Sequence, residues 1–89
     1  IQLRGMDISV YPNPTKGLLL VDFSTNPSEA IQIEVFNALG QAIVVKNYAA
    51  NTIQQIIELN LNDMAAGTYL LKISSAAAYT TQSIILFND

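Results

Sequence analysis

From Ala30 to Asn37 the apolar residues Ile31, Ile33 and Val35 alternate with the polar Gln32 and Glu34. A repeat of two is the spacing of a strand with one face buried and the other wet. A helix would instead repeat its apolar residues every three or four positions. Similar short runs of Ile, Val, Leu and aromatic residues recur along the chain, each ended by Gly, Pro or Asn. Short strands at such spacing predict an all-β sandwich or barrel. Seven strands are expected: Asp7 to Tyr11, Leu18 to Phe23, Ala30 to Asn37, Gln41 to Tyr48, Ile53 to Asn60, Thr68 to Ser74 and Tyr79 to Phe87. Ile8 and Val10 share a face of the first. In the second, Asp22 should point outward, which puts Leu19, Val21 and Phe23 inward.

The turns between the runs have physical reasons of their own. Asn37-Ala38-Leu39-Gly40 suits a hairpin with a type I turn and a left-handed residue at Gly40. Pro12 pushes Tyr11 into an extended backbone. Pro14 pre-sets a turn after Asn13, and Gly17 can supply a positive φ near its exit. Asn26-Pro27-Ser28 is a further turn, and Ser74 to Ala78 is a hairpin tip of small residues. The opening Ile1 to Met6 reads as a linker or lead-in, with one domain over 7–89. The chain starts on Ile1 without a signal-peptide pattern, so it reads as the tail of a longer protein.

One segment supports two readings. In Thr52 to Gly67, the residues Ile53, Ile56, Ile57 and Met64 fit helical spacing. Thr52 with Gln55 resembles a capping box, and Gly67 a helix stop. Against this, Ile57, Leu59 and Leu61 alternate with Glu58 and Asn60, as in a strand, with a tight turn over Asn62 to Ala66. The surrounding β pattern favours the strand.

Composition narrows the function. Hydrophobic residues make up 51% of the 89 and charged residues 12%, against about 25% charged in ordinary globular domains. That is enough apolar material for one small core and little charge for a working site. Net charge is −3, and Arg4, Lys16, Lys46 and Lys72 are scattered. A nucleic-acid binder or a polybasic membrane anchor needs them clustered. No apolar run approaches the roughly 18 residues of a membrane span.

Cysteine and histidine are absent, which removes disulfides, thiolate ligands and Ser-His-Asp or Cys-His nucleophile systems. No carboxylate pair stands out, since Glu34 and Glu58 belong to solvent faces of strands. The four glycines are isolated, unlike a phosphate-binding loop. Asn60, Asn62 and Asp63 could offer oxygens to calcium, but without EF-hand spacing. Tyr11, Tyr48, Tyr69 and Tyr79 suit core or rim packing better than a sugar-stacking platform. The residues describe a binding or structural module, with no catalytic, cofactor or metal site expected.

Three segments then carry a resemblance. Ile8 to Gly17 reads ISVYPNPTKG, Ile33 to Val44 reads IEVFNALGQAIV and Asn60 to Ile73 reads NLNDMAAGTYLLKI. In this order the chain resembles the type A C-terminal sorting domain of type IX secretion substrates. The resemblance spans about residues 7 to 87. It implies a seven-stranded Ig-like antiparallel sandwich that is not an enzyme. It also implies an N-terminal carrier protein that passes through the periplasm and then crosses the outer membrane by the type IX translocon, to be secreted or held at the cell surface. A sortase-like peptidase would cut before the first strand, within Ile1 to Met6. Tyr11, Pro12, Asn13, Pro14, Gly17, Gly40, Gly67 and Tyr69 are the implied recognition candidates, and some would match because the fold itself needs them. The family often has a Lys in or after its last strand, which Thr80 to Asp89 lacks. The competing expectation is a carbohydrate-binding or adhesive sandwich on an extracellular enzyme, which calls for an exposed aromatic row on one sheet.

Overall fold

The computed structural model describes residues 1–52 and 55–88. Its strands are β1 (Gln2–Leu3), β2 (Met6–Tyr11), β3 (Leu18–Phe23), β4 (Ile31–Phe36), β5 (Ala42–Tyr48), β6 (Ile56–Asn60), β7 (Gly67–Ser74) and β8 (Tyr79–Leu86). They form two four-stranded antiparallel sheets, ordered β1-β2-β3-β6 and β5-β4-β7-β8. The chain changes sheet after β3, after β5 and after β6, the crossing pattern of an immunoglobulin-like sandwich.

The alternation read from the sequence matches the burial. Ile31, Ile33 and Val35 of β4 face the core, as do Leu19, Val21 and Phe23 of β3 and Ile8 of β2. They meet Leu59 and Leu61 from the β6 side and Tyr69, Leu71, Ile73, Ile84 and Leu86 from β7 and β8. Ile56–Asn60 is a strand, so the alternating reading of that segment holds over the described residues. The expected start of that strand at Ile53 lies outside them. The bond from the Met64 amide to the Leu61 carbonyl closes the turn that follows.

Two features depart from expectation. Ile1 to Leu3, read as lead-in, lies along β2 as an edge strand with Leu3 in the core. Two apolar residues either side of Gln2 are too short a run to give a periodic signal. A bulge also interrupts the β4–β5 ladder at Val35/Phe36, leaving Ile43 and Val44 both partly buried against the core. The hairpin between them is as expected. Gly40 has φ +80°, and its amide donates to the Asn37 carbonyl at 3.0 Å.

Strand register fixes what lies at each end. Gly67 pairs with Leu86, Phe36 with Leu70 and Ala42, and Leu18 with Asn60. The 12–17, 37–41 and 61–66 loops therefore share one end of the sandwich with the residues after β8. The 24–30 and 75–78 loops, residues 49–52 after β5 and the Arg4-Gly5 turn share the other.

The burial contrast is directly testable. Ile33→Ala should cost about 2–5 kcal/mol, as deletions from fully packed cores do. The readout is a lower urea midpoint at unchanged m-value. Leu39→Ala, at a side chain 84% exposed on the hairpin, should stay within about 0.5 kcal/mol.

Candidate functional site

The eight residues singled out in the sequence span Tyr11 to Tyr69, yet the fold gathers them at one end. Tyr11 closes β2, and Pro12, Asn13, Pro14 and Gly17 form the link to β3. Gly40 sits in the β4–β5 hairpin. Gly67 and Tyr69 open β7. The Tyr11–Pro12 and Asn13–Pro14 peptide bonds are both cis.

The link does not loop freely. It leaves the first sheet, lies along the outer edge of β8 in the second and returns to β3. The Asn13 carboxamide donates to the Ser83 carbonyl at 2.9 Å and accepts from the Ile85 amide at 3.0 Å. The Thr15 amide donates to the Ile85 carbonyl at 2.8 Å, and the Phe87 amide donates to the Thr15 carbonyl at 3.0 Å. Thr15 and Leu86 thus form a parallel bridge. In an antiparallel ladder alternate residues turn both backbone groups to the same side. Ser83, Ile85 and Phe87 turn theirs away from β7, and this link occupies them. By the same alternation Tyr79 and Thr81 turn their backbone groups to the part of that edge beyond the link.

Thr15 carries no signal in the sequence, where it is a variable place inside Pro-Asn-Pro-x-x-Gly. In the fold it is 1% exposed. Its hydroxyl donates to the Leu18 carbonyl and accepts from the Gly17 amide at 3.1 Å. Every polar group of the residue is therefore used, which is what allows burial of a hydroxyl.

The Asn60 to Ile73 segment meets the same link. The Leu61 amide donates to the Gly17 carbonyl at 2.7 Å. Gly17 has φ +150°, and a Cβ there would lie 1.8 Å from Asn62 Oδ1 and 3.1 Å from Asn62 Cα. Glycine is required by backbone and by space alike. Tyr69 is buried, and its hydroxyl donates to the Ala65 carbonyl four residues upstream. That bond is the tyrosine corner of immunoglobulin-like folds, pinning the crossing between the sheets. Asn13, Gly17 and Tyr69 therefore have structural work to do.

What this scaffold presents outward is different. Pro12, Pro14, Thr15, Lys16, Leu18 and Phe87 line a shallow hollow of about 350 Å³. Leu18 is 48% and Phe87 38% exposed. The Lys16 ammonium lies 6.0 Å from the centre of the Phe87 ring, so a cation does stand beside the end of β8, although β8 has none. Of this surface only Pro12 and Pro14 are among the recognition candidates that the resemblance implies. Leu18 and Phe87 read in the sequence as ordinary strand residues.

The side chains of the tyrosines and of the acidic and Asn candidates point to different faces. Tyr11 lies on the outer face of the first sheet, its hydroxyl 3.4 Å from Asp22 Oδ2. Tyr79 lies on the outer face of the second, under the Lys72 ammonium at 4.7 Å. Tyr48 is partly buried against the core at β5, where desolvation raises its pKa above the usual tyrosine value. No row of tyrosines forms on either sheet among the described residues. Glu34 and Glu58 sit on opposite outer faces, by their pairing with Lys72 and Leu20. The Asn60 side chain accepts from the Asn62 amide at 2.9 Å, closing a local turn. Among the described residues no three acidic side chains converge as a metal site would require.

A family model described as "Secretion system C-terminal sorting domain" matches residues 9–87. None of the curated proteins compared matches the chain. Among solved structures it is similar to a DUF3244 family protein with an immunoglobulin-like β-sandwich fold from Bacteroides vulgatus ATCC 8482. The TM-score is 0.72 at 14% identity, over 92% of this chain and 96% of that one. At that identity the likeness concerns the fold.

The bonds of the link order two substitutions. Thr15→Val keeps the shape but strands the Leu18 carbonyl and the Gly17 amide in a dry site, and should cost about 1–3 kcal/mol. Asn13→Ala breaks two bonds that water can replace at an exposed position, and should cost less, about 1 kcal/mol. Urea unfolding of both variants checks the order.

Proposed function

The chain belongs to the family of type IX secretion C-terminal sorting domains, and from that membership we propose that it is a folded, non-enzymatic address. It directs a carrier joined upstream of Ile1 from the periplasm across the outer membrane through the type IX translocon. The observation that carries this reading is convergence. Residues that define the family resemblance, from Tyr11 to Tyr69, lie at one end of the sandwich, where the Pro12 to Gly17 link is bonded to the end of β8.

On this reading Asn13, Thr15, Gly17 and Tyr69 hold that end in shape, and the translocon contacts what they support. The hollow of Pro12, Pro14, Leu18 and Phe87 offers an apolar seat. The Tyr79–Thr81 edge, beyond the reach of the link, offers backbone groups to an added strand. A sortase-like peptidase then separates the carrier, which is released or attached at the surface. The domain is that enzyme's substrate. The dispersal of the tyrosines over different faces gives a glycan-binding platform no comparable support.

An export assay tests the proposal. Residues 1–89 are fused to the C-terminus of a periplasmic fluorescent reporter in a type IX-competent host and in a translocon-null strain. The reporter should reach the surface or medium only with the translocon intact. Retention in the periplasm of both strains, with the domain folded, would sink the reading. Leu18→Ser and Phe87→Ala should lower export about tenfold or more, as loss of a central apolar anchor does, while leaving the urea midpoint nearly unchanged.

A further inference from the structure

The segment from Ile1 to Met6 is built as a strap. Its backbone is paired on both sides of Ile8. The Ile1 nitrogen donates to the Ile8 carbonyl at 2.9 Å, and the Ile8 amide donates to the Ile1 carbonyl at 2.7 Å. The Gln2 side chain donates to Asp7 Oδ1 at 2.7 Å. Leu3 is 3% exposed in the core. Arg4 and Gly5 then turn the chain with φ +50° and +81°, positive at both central positions as in the tightest hairpins. The Arg4 guanidinium reaches across to Glu29 at 3.4 Å, bridging the strap to the loop after β3.

We propose that this strap keeps its own peptide bonds, Arg4–Gly5 above all, from peptidases for as long as it is docked, so that a cut within it requires it to detach from β2. A peptidase takes its substrate as an extended segment several residues long. The Arg4–Gly5 bond is held in a two-residue turn, with paired residues immediately before and after it. The Arg4 side chain is offered to solvent while the bond beneath it is not. Opening has to remove Leu3 from the core and break the bonds to Ile8, so the barrier is part of the fold. The consequence for processing rests on the sorting reading above. A peptidase that frees a carrier from the folded domain has to cut before Ile1 or first peel the strap away.

Trypsin is a suitable probe because Arg4 is one of four basic residues, and Lys72 in the middle of β7 reports global unfolding. In the native chain, cleavage after Arg4 should be no faster than cleavage after Lys72, followed by mass spectrometry. Gly5→Val, which cannot hold the positive φ, and Leu3→Asp should each speed the cut after Arg4 at least about tenfold, with Lys72 unchanged, because cleavage tracks the open population. Native cleavage after Arg4 many times faster than after Lys72, or no acceleration in the variants, would overturn the proposal. If the variants unfold and Lys72 is cut as well, amide exchange in the native chain decides. The Ile8 amide should exchange at least about 100-fold more slowly than an open amide such as Thr25, and equal rates would refute the strap. None of these readouts involves export, so failure here is distinguishable from failure of the sorting reading.

Discussion

The seam between the Thr15 backbone and the edge of β8 is the contact on which the rest of this end depends. A sandwich of two four-stranded sheets with no cysteine has no disulfide between its layers. Apolar burial holds the sheets face to face but is non-directional, and by itself tolerates sliding. Directional bonds must set the relative position. Thr15 supplies them, because its amide and carbonyl bond to β8 while its hydroxyl closes the turn into β3. Those bonds are made together in only one placement of the link. A buried hydroxyl that missed its partners would cost the sandwich about 1–3 kcal/mol.

Neighbouring contacts reinforce the same placement. Gly17 lets the β2–β3 link lie against Asn62, so this link and the β6–β7 crossing are fitted to each other. Tyr69 pins that crossing from inside through the Ala65 carbonyl. Three chain segments remote in sequence therefore share one rigid end. A surface of Pro12, Pro14, Leu18 and Phe87 resting on such a base is shaped before any partner arrives. Preorganisation of this kind lowers the ordering cost of binding.

Legibility in the sequence followed physical range. The alternation of β3, β4 and β6 is a local consequence of one-sided burial, and it named the core residues correctly. The Asn37–Gly40 hairpin was equally local. The family resemblance picked out the right end of the molecule because turn formers and corner residues are the chemically restricted ones. Thr15 was invisible, since its importance lies in bonds to residues some seventy positions away. The strap was missed because a two-residue strand with one buried Leu3 is below the length at which periodicity exists. Leu18 and Phe87 carry no signal beyond strand membership, because their meeting outside the core, where strand ends come together, depends on the tertiary fold.

Scaffold and contact surface thus divide between residue types. Residues that make the segments recognisable in sequence, Asn13, Gly17 and Tyr69, are engaged in turns, close approach and internal bonds. The residues facing outward beside them are plain apolar side chains, with Lys16 near the ring of Phe87. An address built this way is a shape rather than a charged tag, which suits a chain with 12% charged residues. Apolar contact in a hollow tolerates changes of side chain so long as volume and position are kept, whereas the bonded residues beneath tolerate few. A partner reading this end would then discriminate folded copies from unfolded ones, because the hollow exists only when Thr15 and β8 are joined. Unfolding would scatter Pro12, Leu18 and Phe87 along the chain and erase the address with the fold.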